Sequence, residues 1–165
     1  MNATVNELAV NLNPEMLVNE PKRVCFVCTG NTCRSPMAAA VLNEFGGPYH
    51  IFGVSAGLYP NIGEPISEKA VKALESAGIM STSGNNYSAH TACRISESIV
   101  NGCDRIIGMS DSHTLTLLQL FPSMASKIYT MPVSISDPYG GSFETYRMCL
   151  EQIIKGIREM FHLND

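Results

Sequence analysis

Cys28 and Arg34 stand at the two ends of one short segment, and their side-chain types suit chemistry on a phosphate. A cysteine thiolate is a nucleophile, and the planar guanidinium of arginine donates paired N–H bonds to phosphate oxygens. Between them, Gly30 and Asn31 tolerate backbone conformations that most residues resist. The segment therefore predicts a phosphate-binding loop in which Cys28 attacks phosphorus and Arg34 stabilises the charge on the equatorial oxygens.

The residues on either side of this loop make the interpretation more specific. Val24–Val27 is a short apolar run typical of a buried strand, and Pro36 favours the first turn of a helix. Backbone N–H groups between a strand end and a helix N-terminus converge on one concavity, and the helix dipole makes it positive. This potential and Arg34 favour the thiolate of Cys28, and the hydroxyl of Ser35 can donate a hydrogen bond to the sulfur.

Asp137 is the candidate proton donor. Attack by sulfur requires that the leaving atom departs neutral, and a proton donor across the pocket achieves this. Asp137 lies in a turn-rich segment just before the last predicted helix, so it can reach the site if that segment folds back. It can then activate water against a phosphocysteine. A plain Asp–Pro turn is the alternative interpretation, and the sequence leaves both open.

Strands alternate with helices along the chain, which predicts an α/β fold with a parallel sheet covered on both faces. The predicted strands are Val24–Val27, Ile51–Val54 (closed by residues 55–57), Arg105–Met109 and Ile128–Tyr129. The predicted helices are Met37–Phe45, a segment from Ile66 to a C-cap at Gly78, Asp111–Leu120 with Asp111 or Ser112 as its cap, and a long C-terminal helix with a stripe from Tyr146 to Phe161. Ligands bind at the carboxyl ends of strands in such sheets, so the loop after the first strand is the expected site.

The bulk composition favours one domain over residues 23–165 with an N-terminal arm at 1–22. A net charge of −4 argues against nucleic-acid binding. Because we find neither a signal peptide nor an apolar run long enough to span a bilayer, we expect a cytoplasmic protein with reduced thiols and no membrane association. The histidines are scattered and no second Cys-x-x-Cys occurs, so we expect no metal site.

The loop sequence Val-Cys-Thr-Gly-Asn-Thr-Cys-Arg-Ser-Pro at 27–36 resembles the low-molecular-weight protein tyrosine phosphatase family. Asp-Pro-Tyr-Gly at 137–140 is the second specific match. Weaker support comes from Ser-Ala-Gly at 55–57, Ser-Ala-His at 88–90, and the strand 104–109 followed by His113. The resemblance runs from about Arg23 to Phe161 and implies a three-layer fold around a four-stranded parallel sheet.

The resemblance also implies functional roles. It makes Cys28 the nucleophile, Arg34 the phosphate clamp and Asp137 the general acid, without metal or cofactor. The residues expected to form or support the phosphate loop are Thr29, Gly30, Asn31, Thr32, Cys33, Ser35 and His90. The expected partners are phosphorylated proteins or peptides, and a monomer is expected.

Thr32 bears on substrate preference. Tyrosine-directed members commonly carry an aliphatic residue at this place, whereas threonine there resembles the bacterial protein arginine phosphatase branch. A hydroxyl can hydrogen-bond a guanidinium or a water beside the P–N bond, whereas an isoleucine offers apolar contact to a phenyl ring. We therefore expect a preference for phosphoarginine, with phosphotyrosine as the alternative. Tyr139 can flank a flat group of either kind and does not decide.

Other thiols in the chain raise further hypotheses. Family members with a second loop cysteine, here Cys33, can form a reversible disulfide with the nucleophile, although a small packed residue is the alternative. Thiol-dependent arsenate reductases share the fold but need two further relay cysteines, and the relay begins just after the third strand, where this chain has Gly108-Met109-Ser110. Cys93 and Cys103 precede that strand, so this alternative is disfavoured unless one of them is required for turnover. A thioredoxin-like motif starting at Cys25 is disfavoured, because that residue falls inside a predicted strand.

Overall fold

The computed structural model describes residues 22–163. The predicted arm at 1–22 therefore lies outside the described residues except for Lys22, and it stays a prediction. Within the described range, no helix combines the length and the apolar character needed to cross a membrane.

The strands are β1 Arg23–Cys28, β2 Phe52–Gly57, β3 Arg105–Gly108 and β4 Ile128–Thr130. The helices are α1 Arg34–Phe45, α2 Glu68–Ser76, α3 Glu97–Asn101, α4 Asp111–Leu120 and α5 Phe143–Phe161, with short 3-10 helices at Gly47–Tyr49, Tyr87–Ala89 and Pro122–Lys127.

The four strands form one parallel sheet, as the sequence predicts, and their order in the sheet is β2-β1-β3-β4. β1 lies inside the sheet, and its residues after Arg23 are buried. Alternate side chains of a strand point to opposite faces. Val24 and Phe26 accordingly join the core beneath α1, α2 and α5, while Cys25 and Val27 join the core beneath α3 and α4. The result is the predicted three-layer α/β architecture. The carboxyl end of β1 lies between the carboxyl ends of its neighbours β2 and β3.

Several predicted element boundaries are wrong by a few residues. The segment 55–57 does not close β2 but belongs to it, because these residues continue the pairing with β1 through Gly57 and Cys28. The N-cap of α4 is Ser110, not Asp111 or Ser112, since Ser110 keeps an extended backbone after β3. The C-cap of α2 is Ala77, and Gly78 follows it at a positive φ of 79°. The short helix α3 was not predicted at all.

The end of β2 packs directly against the loop that follows β1. A Cβ atom at Gly57 would lie 2.8 Å from the carbonyl oxygen of Thr29 and 3.0 Å from the Cβ atom of Asn31. Only glycine permits so close an approach without moving the loop. The backbone of Leu58 and Tyr59 continues this contact by donating to the carbonyls of Cys28 and Thr29 at 2.9 and 3.0 Å. The segment after β2 thus forms one wall of the loop.

Candidate active site

The thiol of Cys28 lies at the start of the loop between β1 and α1, where the sequence places it. The residue is only 3% exposed. The backbone N–H of Asn31 donates to its Sγ at 3.3 Å, and the Oγ of Ser35 lies 2.9 Å from the same sulfur. The Nδ2 group of Asn31 donates to Ser35 Oγ, so the serine hydroxyl hydrogen can point at the sulfur at 2.9 Å or, over a longer distance of 3.4 Å, at the carbonyl of Ala56. Two hydrogen-bond donors therefore face Cys28, an arrangement suited to a thiolate.

Asn31 is the residue that fixes the shape of this loop. Its backbone is left-handed, with φ of 58°, and its side chain is fully buried. The side-chain amide donates to Ser35 Oγ at 2.8 Å and to Ser55 Oγ at 3.0 Å, while its oxygen accepts from the backbone N–H of Cys93 at 3.0 Å. The Nε2–H of His90 donates to the Asn31 carbonyl at 2.7 Å. The structure therefore brings Asn31, Ser35 and His90 together around the loop.

His90 reaches the loop from the end of the 3-10 helix Tyr87–Ala89, which it caps. Burial lowers the pKa of its imidazole, and the hydrogen bond to the Asn31 carbonyl acts in the opposite direction. A neutral imidazole with its proton on Nε2 satisfies that carbonyl without placing a second positive charge beneath the loop. The residue thus contacts the loop backbone and not the cavity that the loop encloses.

Arg34 and Asp137 meet at the mouth of the loop. Arg34 is 7% exposed, and its Nη1 donates to the carbonyl of Ile135 at 3.0 Å. Its Nη2 lies 3.6 Å from Oδ2 of Asp137. The other carboxylate oxygen of Asp137 accepts from the backbone N–H of Tyr139 at 3.1 Å. Asp137 therefore forms the plain Asp–Pro turn of the alternative interpretation and also faces the site, so the two interpretations do not exclude each other.

The loop encloses a cavity of about 220 Å³ that is open to solvent on one side. The predicted residues that line it are Cys28, Thr29, Gly30, Asn31, Thr32, Cys33, Arg34, Asp137 and Tyr139. Three further lining residues, Tyr59, Asn61 and Glu64, were not predicted. Tyr59 and Tyr139 are 69% and 80% exposed, so two aromatic rings stand at the rim. The only sequence signal for the added residues is that they follow β2, whose carboxyl end lies beside that of β1.

His113 is a buried residue of the site whose role the sequence did not reveal. It is 4% exposed on α4, and both ring nitrogens face hydroxyls: Nε2 lies 3.0 Å from Thr29 Oγ1 and Nδ1 lies 2.8 Å from Ser110 Oγ. Burial, with a smaller contribution from the positive charge of Arg34, lowers the pKa of His113 to about 4, and Asp137 opposes this shift. The imidazole is therefore neutral near pH 7 and links Thr29 to the neighbouring strand end.

The other cysteines lie in different surroundings. Cys33 is buried, with its Sγ 3.4 Å from the hydroxyl of Tyr146 on α5, and the predicted disulfide with Cys28 stays a prediction. Cys25 lies within β1, as expected, and is fully buried. Neither Cys93 nor Cys103 lines the cavity at Cys28. All six thiols are free.

A cysteine at the end of β1, with the N–H of Asn31 and the hydroxyl of Ser35 at its sulfur and Arg34 lining the same cavity, defines a small α/β protein built to bind phosphate next to a thiol. The family model described as low molecular weight phosphotyrosine protein phosphatase matches residues 23–163, and the chain belongs to this family. The resemblance inferred from the sequence is thereby confirmed, and the protein is a phosphatase that acts on phosphoproteins.

Individual relatives include enzymes directed at two kinds of residue. The chain is 32% identical over 143 residues to a protein-arginine-phosphatase of Geobacillus stearothermophilus, covering 81% of this chain and 89% of the relative. It is 30% identical to the low molecular weight protein-tyrosine-phosphatase PtpB of Staphylococcus haemolyticus, covering 80% and 92%. It is also similar to the solved structure of a Cys-to-Ser mutant of the YwlE arginine phosphatase with a phosphorylated active site serine, with 25% identity, a TM-score of 0.75 and coverage of 85% and 93%.

The lowered pKa of His113 predicts a specific pH dependence of stability. Its value of about 4 in the folded protein lies below the ordinary 6.5, so the unfolded chain takes up the proton first. The stability that the neutral ring contributes is fully present above pH 6.5 and is lost as pH falls toward 4. We expect the free energy of unfolding of the wild type to drop relative to that of His113→Gln by at least about 1 kcal/mol over this range.

Urea denaturation across the same pH range measures this difference, and ring NMR signals follow the titration of His113 directly. Parallel pH curves for the two proteins, together with a titration midpoint near the ordinary value, would contradict the assignment of a buried neutral His113.

Proposed function

We propose that this pocket hydrolyses phosphorylated protein side chains through a phosphocysteine at Cys28, with phosphoarginine as the favoured substrate. The observation that carries the proposal is the position of the Cys28 sulfur. It faces the N–H of Asn31 and the hydroxyl of Ser35, at the base of a cavity that Arg34 and Asp137 border. Nucleophile, anion site and proton donor thus share one small space.

In the first step the Cys28 thiolate attacks phosphorus, so that an S–P bond forms while the bond from phosphorus to the leaving atom breaks. Asp137 gives its proton to that atom, which is nitrogen for phosphoarginine and oxygen for phosphotyrosine. Arg34 now donates to the carbonyl of Ile135 and lies close to Asp137, and its guanidinium can turn to the equatorial oxygens when phosphate enters.

In the second step water attacks the phosphocysteine, and the carboxylate of Asp137 accepts a proton from that water. The S–P bond breaks, which regenerates the Cys28 thiolate and releases inorganic phosphate. Donors from Asn31 and Ser35 stabilise the sulfur as its negative charge returns. The phosphorylated active site serine of the YwlE mutant supports this route, because a serine in place of the cysteine has there taken up the phosphoryl group.

Thr32 supports the preference for phosphoarginine. Its side chain lines the cavity between Asn31 and Cys33, and its Oγ1 makes only a long contact of 3.7 Å with the Cys33 sulfur. The hydroxyl is therefore available to bond a polar N–H group of a substrate. The similarity to a protein-arginine-phosphatase supports the same preference. Phosphotyrosine is the second candidate, because the rim tyrosines Tyr59 and Tyr139 can flank a phenyl ring.

We further propose that the protein works in the cytoplasm as a monomer. Six free thiols suit a reducing compartment, where an unprotected Cys28 stays reduced. The net charge of −4 argues against nucleic acid as a partner. Substrate side chains reach the cavity from solvent, past two exposed aromatic rings.

Asp137→Asn should separate an enzyme from a protein that only binds phosphate. The amide cannot donate the proton that the leaving atom needs, so kcat on a phosphoarginine or phosphotyrosine peptide should fall by roughly 10²–10³-fold. An aryl phosphate with a good leaving group should lose far less in the first step. The matched control is Asp111→Asn, since Asp111 is exposed on α4 and does not line the cavity. Equal, mild effects of both substitutions would remove Asp137 as the acid.

Substitutions at Thr32 test the substrate preference. The wild type should show a higher kcat/KM on a phosphoarginine peptide than on a phosphotyrosine peptide of matched sequence. Thr32→Val removes only the hydroxyl and should lower phosphoarginine turnover about tenfold, because the guanidinium loses a polar partner. Thr32→Ile should do the same and also raise phosphotyrosine turnover. If the wild type prefers phosphotyrosine, the proposed preference for phosphoarginine is overturned, whereas the proposed roles of Cys28, Arg34 and Asp137 are unaffected.

A further inference from the structure

Glu64 is a charged residue of the cavity that the proposed chemistry does not use. The ionisable groups that line the cavity are Cys28, Cys33, Arg34, Tyr59, Glu64, Asp137 and Tyr139. Among them Arg34 alone is a cation, whereas two carboxylates, those of Glu64 and Asp137, line the same cavity. Phosphate monoesters are dianions near pH 7, so a second carboxylate at the edge of their site opposes binding unless the substrate itself brings a positive charge.

The backbone holds Glu64 at a fixed place beside the phosphate loop. The carbonyl of Glu64 accepts from the N–H of Ala92 at 2.7 Å, and the N–H of the preceding Gly63 donates to the carbonyl of Ala92 at 2.9 Å. The next residue, Pro65, bridges to Thr91. The strand-like pair 63–65 and 91–92 therefore anchors Glu64 to the segment that begins at His90.

Both chain segments of this pair are also tied to the phosphate loop. The N–H of Ser67 donates to the carbonyl of Thr32 at 2.9 Å, while His90 donates to the carbonyl of Asn31 at 2.7 Å. Glu64 precedes both attachment points along the chain and lies three residues before Ser67. Its carboxylate is exposed and has no hydrogen bond or ion pair among those found in the described residues. It is thus free to meet a group that enters the cavity.

The chemistry of the two candidate substrates differs at this rim. Phosphoarginine keeps a protonated guanidinium next to its phosphoryl group, whereas phosphotyrosine has a neutral ring there. A guanidinium forms charge-assisted hydrogen bonds to a carboxylate, and its flat face stacks on aromatic rings such as those of Tyr59 and Tyr139. One carboxylate and two rings at one opening match a flat cation better than a neutral ring.

We propose that Glu64 determines substrate specificity by binding the phosphorylated guanidinium of phosphoarginine. This inference rests on the proposed phosphatase function and names the residue that selects its substrate class. Thr32 contacts the substrate from inside the phosphate loop, whereas Glu64 acts from the wall that follows β2. The two residues are independent determinants, since one supplies a neutral hydroxyl and the other a negative charge.

The test measures kcat/KM of Glu64→Gln and Glu64→Lys on three peptides that are otherwise free of basic residues. The first carries phosphoarginine, the second phosphotyrosine, and the third phosphotyrosine next to one arginine. Glu68→Gln is the matched control, because it removes the same charge four residues away on α2, where Glu68 pairs with Lys72 at 3.2 Å and does not line the cavity. Circular dichroism confirms that each variant is folded.

We expect Glu64→Gln to lower kcat/KM on the phosphoarginine peptide about fivefold, as loss of one exposed ion pair predicts. Turnover of both phosphotyrosine peptides should stay the same or rise slightly, because a charge that opposes the phosphate is gone. Glu64→Lys should reduce the preference for phosphoarginine further, and Glu68→Gln should leave it unchanged.

Equal effects on all three peptides would overturn the inference. A loss confined to phosphoarginine and to the arginine-flanked phosphotyrosine peptide would also overturn it, because Glu64 would then read a neighbouring residue. A wild type that does not hydrolyse phosphoarginine would refute the proposed preference before any variant is made, and the inference with it. Activity on phosphoarginine without a Glu64 effect would refute the inference alone.

Discussion

The buried, left-handed Asn31 is the constraint on which the site depends. A buried amide must have all its polar atoms paired, and here its partners come from α1, β2 and the segment after His90. No buried side-chain N or O atom among the described residues lacks a partner. The backbone N–H of the same residue donates to the Cys28 sulfur. One set of hydrogen bonds therefore holds the loop in shape and positions the groups that donate to the sulfur. Packing of the fold and orientation of the nucleophile are therefore a single requirement.

The part of this arrangement that could be predicted from the sequence is local. The phosphate loop, its strand and its helix are contiguous, so residue types alone indicate a thiol, an anion site and a clamp at 28–35. The sheet could be predicted because buried parallel strands are short apolar runs. Boundaries were less certain: Ser55 to Gly57 look like a turn but pair with β1, and the five-residue α3 has too short a pattern to detect.

The residues that could not be predicted come from distant segments that meet only in the folded protein. His113 reaches Thr29 because β3 lies next to β1, and Glu64 reaches the cavity because β2 lies on the other side of β1. Neither of these neighbour relations can be read from the sequence of one segment. In the proposed mechanism the nucleophile and the anion site lie in one loop, whereas the acid Asp137 and the proposed specificity residue Glu64 come from segments that follow other strands. Such a division lets a family keep one reaction while substrate preference changes at the rim, which agrees with relatives directed at arginine and at tyrosine.

The central claim is that the phosphoryl group is transferred to the Cys28 sulfur before it reaches water. Trapping the resulting phosphocysteine tests this claim most directly. In Asp137→Asn an aryl phosphate with a good leaving group should still phosphorylate the thiol, while loss of the base slows hydrolysis. Rapid quenching and peptide mass spectrometry should then locate a phosphoryl group on Cys28, and Cys28→Ala should carry none. A phosphoryl group on another residue, or undiminished turnover by Cys28→Ala, would contradict the account.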